Sequence, residues 1–261
     1  MAIKVTILGL FIYAAMGLYG LAAILFVVRV RRVAWVLYGA GCAVAAAGWA
    51  YRWVDAGHVP LQNLFEVFLT LGALMFPITL FGRRLLKVGG EAGDAVLGLV
   101  ILVPAGLVFS AEPKMLPPAL QSWLFVPHVA AYMLAYVVMG KAAFQAFSVL
   151  LRSGEQRLRA ERDTHVVVRL GFPLLTLGLV LGAVWGKIAW GDYWNWDPKE
   201  LWSLAAWLVF LGYLHFRYVY GKRYPRANAA IVLLGAGLIL VTLLWVNLAR
   251  IFAGGLHSYA T

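Results

Sequence analysis

Long apolar runs recur along the chain at about 5–28, 33–51, 61–81, 93–110, 123–151, 166–189, 199–220 and 227–249, with short charged or turn-rich breaks between them. Roughly 20 apolar residues in a helix are enough to cross the hydrocarbon of a bilayer. In lipid every backbone polar group must be satisfied internally, so each run is expected to be an α-helix. A membrane β-barrel would instead show short alternating segments, and these runs do not alternate. Composition agrees: 63% of the 261 residues are hydrophobic and 13% are charged, about half the charge of a soluble domain. A soluble globule, a disordered chain and a nucleic-acid binder are excluded, and lipid is the expected surroundings. The expected fold is all-α, a polytopic transmembrane bundle of about eight spans forming a single integral membrane domain over residues 1–261. The first run, from Val5 to Val28, is too long for a signal-peptide core and is read as a span.

The charges orient the spans. Lys and Arg total 22 against 11 Asp and Glu. In a soluble domain such an excess would point to phosphates; here its placement along the chain matters more than its sum. Fifteen of the 22 basic residues lie in the breaks after the odd-numbered spans, including Arg29, Arg83, Arg152 and Lys222. The positive-inside rule then puts both termini on the outer (periplasmic) side. That side receives His58, the Pro-rich stretch Glu112–Pro118, the segment Trp190–Glu200, and the tail with His257. His128 follows Trp123 and Pro127 at the outer mouth of its span. His165 lies among Arg162, Asp163 and Arg169 on the inner face and reads as an ordinary loop residue. The spans hold almost no carboxylates apart from Glu66, which falls one turn into its helix, where the helix dipole tolerates it.

Chemistry concentrates in one place. The stretch W-G-D-Y-W-N-W-D-P-K-E occupies 190–200, and six of the 11 tryptophans (Trp185, Trp190, Trp194, Trp196, Trp202, Trp207) fall within 23 positions. An interfacial aromatic belt explains two or three of them. A run punctuated by Gly191, Asp192 and Asn195 also suits a flat aromatic platform for a large planar ligand. Asp197 is placed to cap the next helix, with Pro198 at the first helical position and Glu200 completing a capping box. That start puts His215, 17 residues beyond Pro198, about 25 Å along the axis and in the inner half of the bilayer. An imidazole there either bonds a neighbouring helix or serves as an iron ligand, with Gly212 one turn away leaving room for a macrocycle. No other span carries a deep histidine, so a second axial ligand at that depth must come from another chain. His128 and His257 are either solvated loop residues or axial ligands of one flat cofactor beside the tryptophans; His58 is the spare. Cys42 stands alone in an apolar run, so there is no disulfide framework, redox pair or haem-attachment motif.

The segment Trp190–Glu200, with G-F-P-L-L-T-L-G before it, L-W-S-L-A-A-W after it, L-H-F-R at 214–217, V-N-L at 246–248 and G-L-H-S-Y-A at the end, resembles the tryptophan-rich "WWD" signature of haem-handling proteins in its CcsA/ResC branch. G-H-V-P-L-Q-N-L-F-E, beginning at Gly57, matches as well, so the resemblance runs from about residue 55 onward. Leu201 stands where Thr is common and Ala260 where Gly is common; neither removes a ligand. The resemblance implies a system II cytochrome c biogenesis protein of the bacterial cytoplasmic membrane, or of the thylakoid if plastid-derived. Such a protein receives haem within the membrane, moves it to the outer face and presents it for attachment to the CxxCH motif of apocytochrome c. As a haem-handling subunit of a holocytochrome c synthase (haem lyase), it would work with a CcsB/ResB partner. By motif position, non-covalent b-type haem would be ligated by His128 and His257 outside and by His215 within the membrane, with Trp190, Trp194, Trp196 and Asp197 forming the platform. The chain offers no nucleophile of its own, so its contribution would be positioning and redox protection. Lys187, Lys199 and Arg250 would sit near the propionates, although snorkelling explains them too.

Two other functions remain open. A haem exporter of the CcmC type would pass its cargo to a chaperone, and the D-P-K-E after the tryptophans favours CcsA over it by resemblance. A haem-b electron-transfer subunit would need paired intramembrane histidines, and only His215 lies deep.

Overall fold

The computed structural model describes residue 4 and residues 6–248; His257, Arg250 and Ala260 lie outside them. Eight long helices fall on the eight apolar runs, and the described residues contain no strand. Six of the helices are long and apolar enough to cross a membrane. The other two depart for visible reasons: one is 17 residues long, and one carries Lys199, Glu200, His215 and Arg217 on a single span. The protein is an all-α polytopic membrane protein. Contacts divide it into two compact units, Met1–Pro117 and Pro118–Thr261.

The first unit holds α1 (Ile7–Val27), α2 (Arg31–Ala56), α3 (Leu64–Arg84) and α4 (Glu91–Leu107). α1 packs on α2 and α4, and α3 packs on α4 and α2. The buried Tyr19 and Tyr38 hydroxyls are matched inside the bundle, to Gly72 O at 3.0 Å and Thr79 Oγ1 at 3.1 Å. Asn63 caps α3 through the Glu66 N–H. Glu66 stands in the first turn of α3, as its position predicts, and it is paired with Arg52 from the last turns of α2. Both side chains are wholly buried. The guanidinium donates to Glu66 Oε1 at 2.8–2.9 Å and to the carbonyls of Ala111 at 2.6 Å and Glu112 at 3.3 Å. Glu66 Oε2 accepts the Gln62 N–H at 2.8 Å. One ion pair therefore ties α2, α3 and the segment after α4. Gln62 Nε2 reaches Met115 O, and the His58 ring lies 3.1 Å from Lys114 O on the same segment.

The second unit opens with a 3-10 turn at Pro118–Leu120 and holds α5 (Phe125–Leu151), α6 (Gly154–Trp190), α7 (Pro198–Tyr220) and α8 (Pro225–Leu240). A π-helical turn, Val241–Trp245, and the short helix Val246–Leu248 continue α8. α5 and α6 form the principal packed pair, and α8 packs on α5 and α7. At 37 residues, α6 is about 55 Å long, well beyond a bilayer core of about 30 Å. The sequence places the span at 166–189, whereas the helix begins at Gly154. Its first three turns are polar and amphipathic, so an apolar-run criterion cannot see them. His165 consequently sits on a helix, half-buried, with its Nδ1 3.4 Å from the Tyr213 hydroxyl.

Buried carboxylates are not confined to Glu66: Glu91 and Asp94 in the first turn of α4, and Glu161 in the polar turns that precede the apolar run of α6, are buried too. Glu161 shows the reason: it accepts Arg217 Nε at 2.5 Å, Arg217 Nη2 at 3.3 Å and Asn228 Nδ2 at 3.0 Å. α6, α7 and α8 are thus joined at the end that carries the basic loops. An arginine and an amide offset the cost of burial that an isolated carboxylate would bear in full.

Removing one partner of the Arg52–Glu66 pair leaves a buried charge uncompensated, at a cost of about 3–5 kcal/mol. Arg52→Ala is therefore expected to lower the unfolding midpoint of the purified protein sharply. It should also open the chain around Glu112 to protease. Arg52→Met/Glu66→Leu, which removes both charges, is expected to recover much of the loss in the same thermal and proteolytic assays.

Candidate functional site

The end of the second unit where α6 finishes and α7 starts collects the tryptophans. α6 stops because Gly191 takes the left-handed conformation (φ 91°) and donates its N–H to Lys187 O, a helix terminus that glycine adopts without steric cost. α7 starts where the sequence places it. Asp197 accepts the Lys199 N–H at 2.9 Å, Pro198 occupies the first helical position, and the capping box is complete. Glu200 does more than close that box. Its Oε2 accepts the Asn195 N–H at 2.8 Å and the Asp197 N–H at 3.1 Å. Between those two residues Trp196 is held at φ 56°, a left-handed conformation unusual for a large side chain. Such a backbone costs of order 1–3 kcal/mol and persists only where its surroundings impose it. The carboxylate supplies that restraint, and the Trp196 ring projects outward, 67% exposed. This clamp is readable in the sequence only as a helix cap; its hold on Asn195 is not.

The indoles do not form one flat shelf. Trp185 and Trp190 meet edge to face at 4.7 Å and 65°, and Trp194 and Trp196 at 6.0 Å and 86°. Trp185 is buried and donates Nε1–H to Ala119 O at 3.1 Å, anchoring the segment before α5. Two buried donors in the Trp segment, Trp194 Nε1 and Asn195 Nδ2, have no acceptor among the described residues. Lys187 turns back on its own segment, with Nζ 2.5 Å from Gly191 O and 5.6 Å from the Tyr193 ring centre.

His128 belongs to this end. It lies in the first turn of α5, half-buried, its ring stacked on Trp185 at 5.5 Å and 23° and meeting Tyr132 edge-on at 5.1 Å. Nδ1 is 2.9 Å from Gly178 O on α6. A carbonyl can only accept, so Nδ1 carries a proton. The second outer histidine predicted, His257, is outside the described residues.

His215 stands apart from this cluster, five residues before the end of α7 and toward the basic loops. It is exposed on the helix surface, and its Nδ1 is bonded to Leu211 O at 2.9 Å. Leu201, Leu208 and Gly212 on that side of the helix are exposed too. A Cβ added at Gly212 would meet nothing within 4 Å. The second unit thus stacks His128 on Trp185, which in turn meets Trp190, and keeps His215 at its other end. No group of three or more His, Cys, Asp or Glu suited to a bare metal ion occurs among the described residues.

Comparison with known proteins agrees on one family. The sequence profile of the family described as Cytochrome C assembly protein matches residues 63–253. The chain is 32% identical to "Cytochrome c biogenesis protein CcsA" of Synechococcus elongatus, over 84% of this chain and 86% of that protein. It is 32% identical to the Guillardia theta protein of the same name, covering 88% and 87%, and 30% identical to that of Chlamydomonas reinhardtii, covering 93% and 72%. Among solved structures, "Cytochrome c Heme Lyase CcmF" shares the fold with a TM-score of 0.69 at 20% identity, over 93% of this chain. The chain spans about half of that structure, 48% of its length. The profile match covers the clamp, both described ligand candidates and the helices that carry them, and the chain belongs to the CcsA family of cytochrome c assembly proteins.

Proposed function

We propose that the chain is the haem-handling subunit of a cytochrome c synthase, receiving haem as cargo and presenting it to apocytochrome c at the Trp-rich end of the second unit. One observation carries this reading: His128 stacks on Trp185, which meets Trp190, and its Nδ1 is tied to Gly178 O, an arrangement that favours Nε2 as a ligating nitrogen. Metal-binding imidazoles characteristically donate their other N–H to a carbonyl or carboxylate, which fixes the ring and raises its basicity. The two unmatched donors, Trp194 Nε1 and Asn195 Nδ2, fit a ligand that brings carboxylate oxygens, as haem does with its propionates. Trp196, forced outward, offers an aromatic face to whatever approaches from solution. Family membership and the printed names of the relatives support a role in cytochrome c biogenesis.

In this reading His128 and His257 are the outer axial ligands, and Trp190, Trp194, Trp196 and Asp197 build the surrounding wall. His215 is an intramembrane ligand whose exposed ring awaits a histidine from a CcsB/ResB-like membrane partner. Both termini and the Trp segment face the non-cytoplasmic side of a bacterial cytoplasmic or thylakoid membrane, by the distribution of basic residues. Thioether formation adds each cysteine S–H across a haem vinyl group, sulfur to one carbon and hydrogen to the other, with no net oxidation. The chain's residues hold the porphyrin so that its vinyl edge meets two thiols, which converts a bimolecular encounter into a positioned one. Filling both axial positions with imidazole also limits access of oxygen to the iron. Cys42 takes no part: it lies on α2 with Sγ 3.4 Å from Ala73 O.

The purified protein is expected to carry b-type haem visible by absorbance. His128→Ala and His257→Ala should each reduce the haem retained by about tenfold or more, while insertion stays normal and cytochrome c maturation fails. A double variant that matures cytochrome c at the usual rate overturns the outer-site assignment.

The His215 site has a separate test. Co-expression with a CcsB/ResB-like partner should raise haem content relative to the chain alone, and His215→Ala should cancel that increment. An unchanged increment removes His215 from the path.

A further inference from the structure

We propose that Gly182 is a positioning residue for His128, because the absence of a side chain there is what allows the imidazole to sit in its Nδ1–H form against the Gly178 carbonyl. The tautomer claim stands on geometry alone; its consequence for haem rests on the function proposed above.

Four features of α6 and α5 converge on this ring. Gly178 O accepts from Nδ1 at 2.9 Å. Trp185 covers one face of the imidazole at 5.5 Å, and Tyr132 closes an edge at 5.1 Å. One turn beyond Gly178, a Cβ on Gly182 would lie 2.6 Å from His128 Cε1 and 3.0 Å from Nδ1. Contacts below 3.0 Å are not tolerated, and the ring is a rigid plane that cannot bend its tip aside. Trp185 and Tyr132 block the simplest escapes, so a methyl group at 182 must push the imidazole off the Gly178 carbonyl.

The other glycines on α6 are tight for different reasons. A Cβ at Gly178 would meet the Tyr132 ring at 2.9 Å, and one at Gly171 would meet Met139 and Val138 at 3.0 Å. Those positions serve helix packing against α5. Gly182 alone among them meets the imidazole.

A free histidine prefers the Nε2–H form by a small margin, and that form has its lone pair on Nδ1, facing the backbone. The bond to Gly178 O reverses the preference and places the proton on Nδ1. Gly182 thus determines which nitrogen is offered to an incoming ligand, without touching that ligand.

The test begins on protein free of haem. Ring-15N-histidine labelling in detergent micelles, assigned with His128→Ala, is expected to show His128 with Nδ1 protonated and Nε2 bare. Gly182→Ala should abolish that signature, whereas Gly171→Ala, a control on the same helix, should keep it. Retention of the Nδ1–H form in Gly182→Ala overturns the proposal.

Haem supplies the second readout. Gly182→Ala is expected to lower retained low-spin haem by about tenfold, the usual range for an outer-shell change. Millimolar imidazole should restore the low-spin spectrum, as it should for His128→Ala. If His128→Ala itself retains normal haem, the proposed function fails while the tautomer result still judges Gly182.

Should Gly182→Ala insert poorly, the double variant His128→Ala/Gly182→Ala decides. With the ring removed the methyl group has nothing to strike, so its membrane yield should match that of His128→Ala alone. An equal loss with and without the ring would make Gly182 a packing residue only and overturn the proposal.

Discussion

In hydrocarbon a polar group has no water to turn to, and an unmatched one costs several kcal/mol. That constraint decides where every charged or hydrogen-bonding side chain in this protein can stand. Arg52 and Glu66 are buried because each completes the other, and because the surplus N–H groups of the guanidinium find the carbonyls of Ala111 and Glu112. Glu161 is buried because Arg217 and Asn228 reach it from two other helices. Each network sits toward an end of its helices, where the chain must turn, and each fixes how neighbouring helices meet. The apolar runs specify that there are helices; the few polar residues among them specify which ends join.

The same rule gives meaning to the groups that are left unmatched or exposed. Trp194 Nε1 and Asn195 Nδ2 are buried donors without acceptors in a segment whose backbone is otherwise well restrained. His215 projects from the side of α7 with its ring exposed, although a polar ring on a helix that faces lipid is expensive. The two places differ in kind: one is a backbone segment restrained by Glu200, the other an exposed helix face.

Much of this was legible in the residues. Run length and the placement of Asp197, Pro198 and Glu200 predict all eight helices and the start of α7 to within a residue. The polar first turns of α6 escape, because apolar content marks spans and not helices. The ion pairs escape as well: Arg52 and Glu66 are 14 positions apart, and Glu161 and Arg217 are 56 apart. No local period joins residues at such distances. The Trp segment is legible as a cluster of indoles but not as a shape. Counting indoles predicts a shelf, whereas the pairs in it cross edge to face, the arrangement that ring quadrupoles favour. The seat of His128 is invisible in sequence for a further reason. It depends on a carbonyl and on a missing side chain, and neither carries a signature in a string of letters.

The clamp and the seat share one design. Glu200 holds two backbone N–H groups on either side of Trp196, and Gly178 offers a backbone carbonyl to His128. In both cases the residue that faces outward is fixed from behind by a group that has no part in contact with a partner. An indole held in a strained backbone, or an imidazole held in its less favoured tautomer, loses no conformational freedom when a ligand arrives. The cost of ordering has been met during folding, so the free energy of binding goes into contact. In the function proposed above, where a large planar molecule is received and then passed on to another chain, such rigid presentation would favour firm placement over a search for the right conformation.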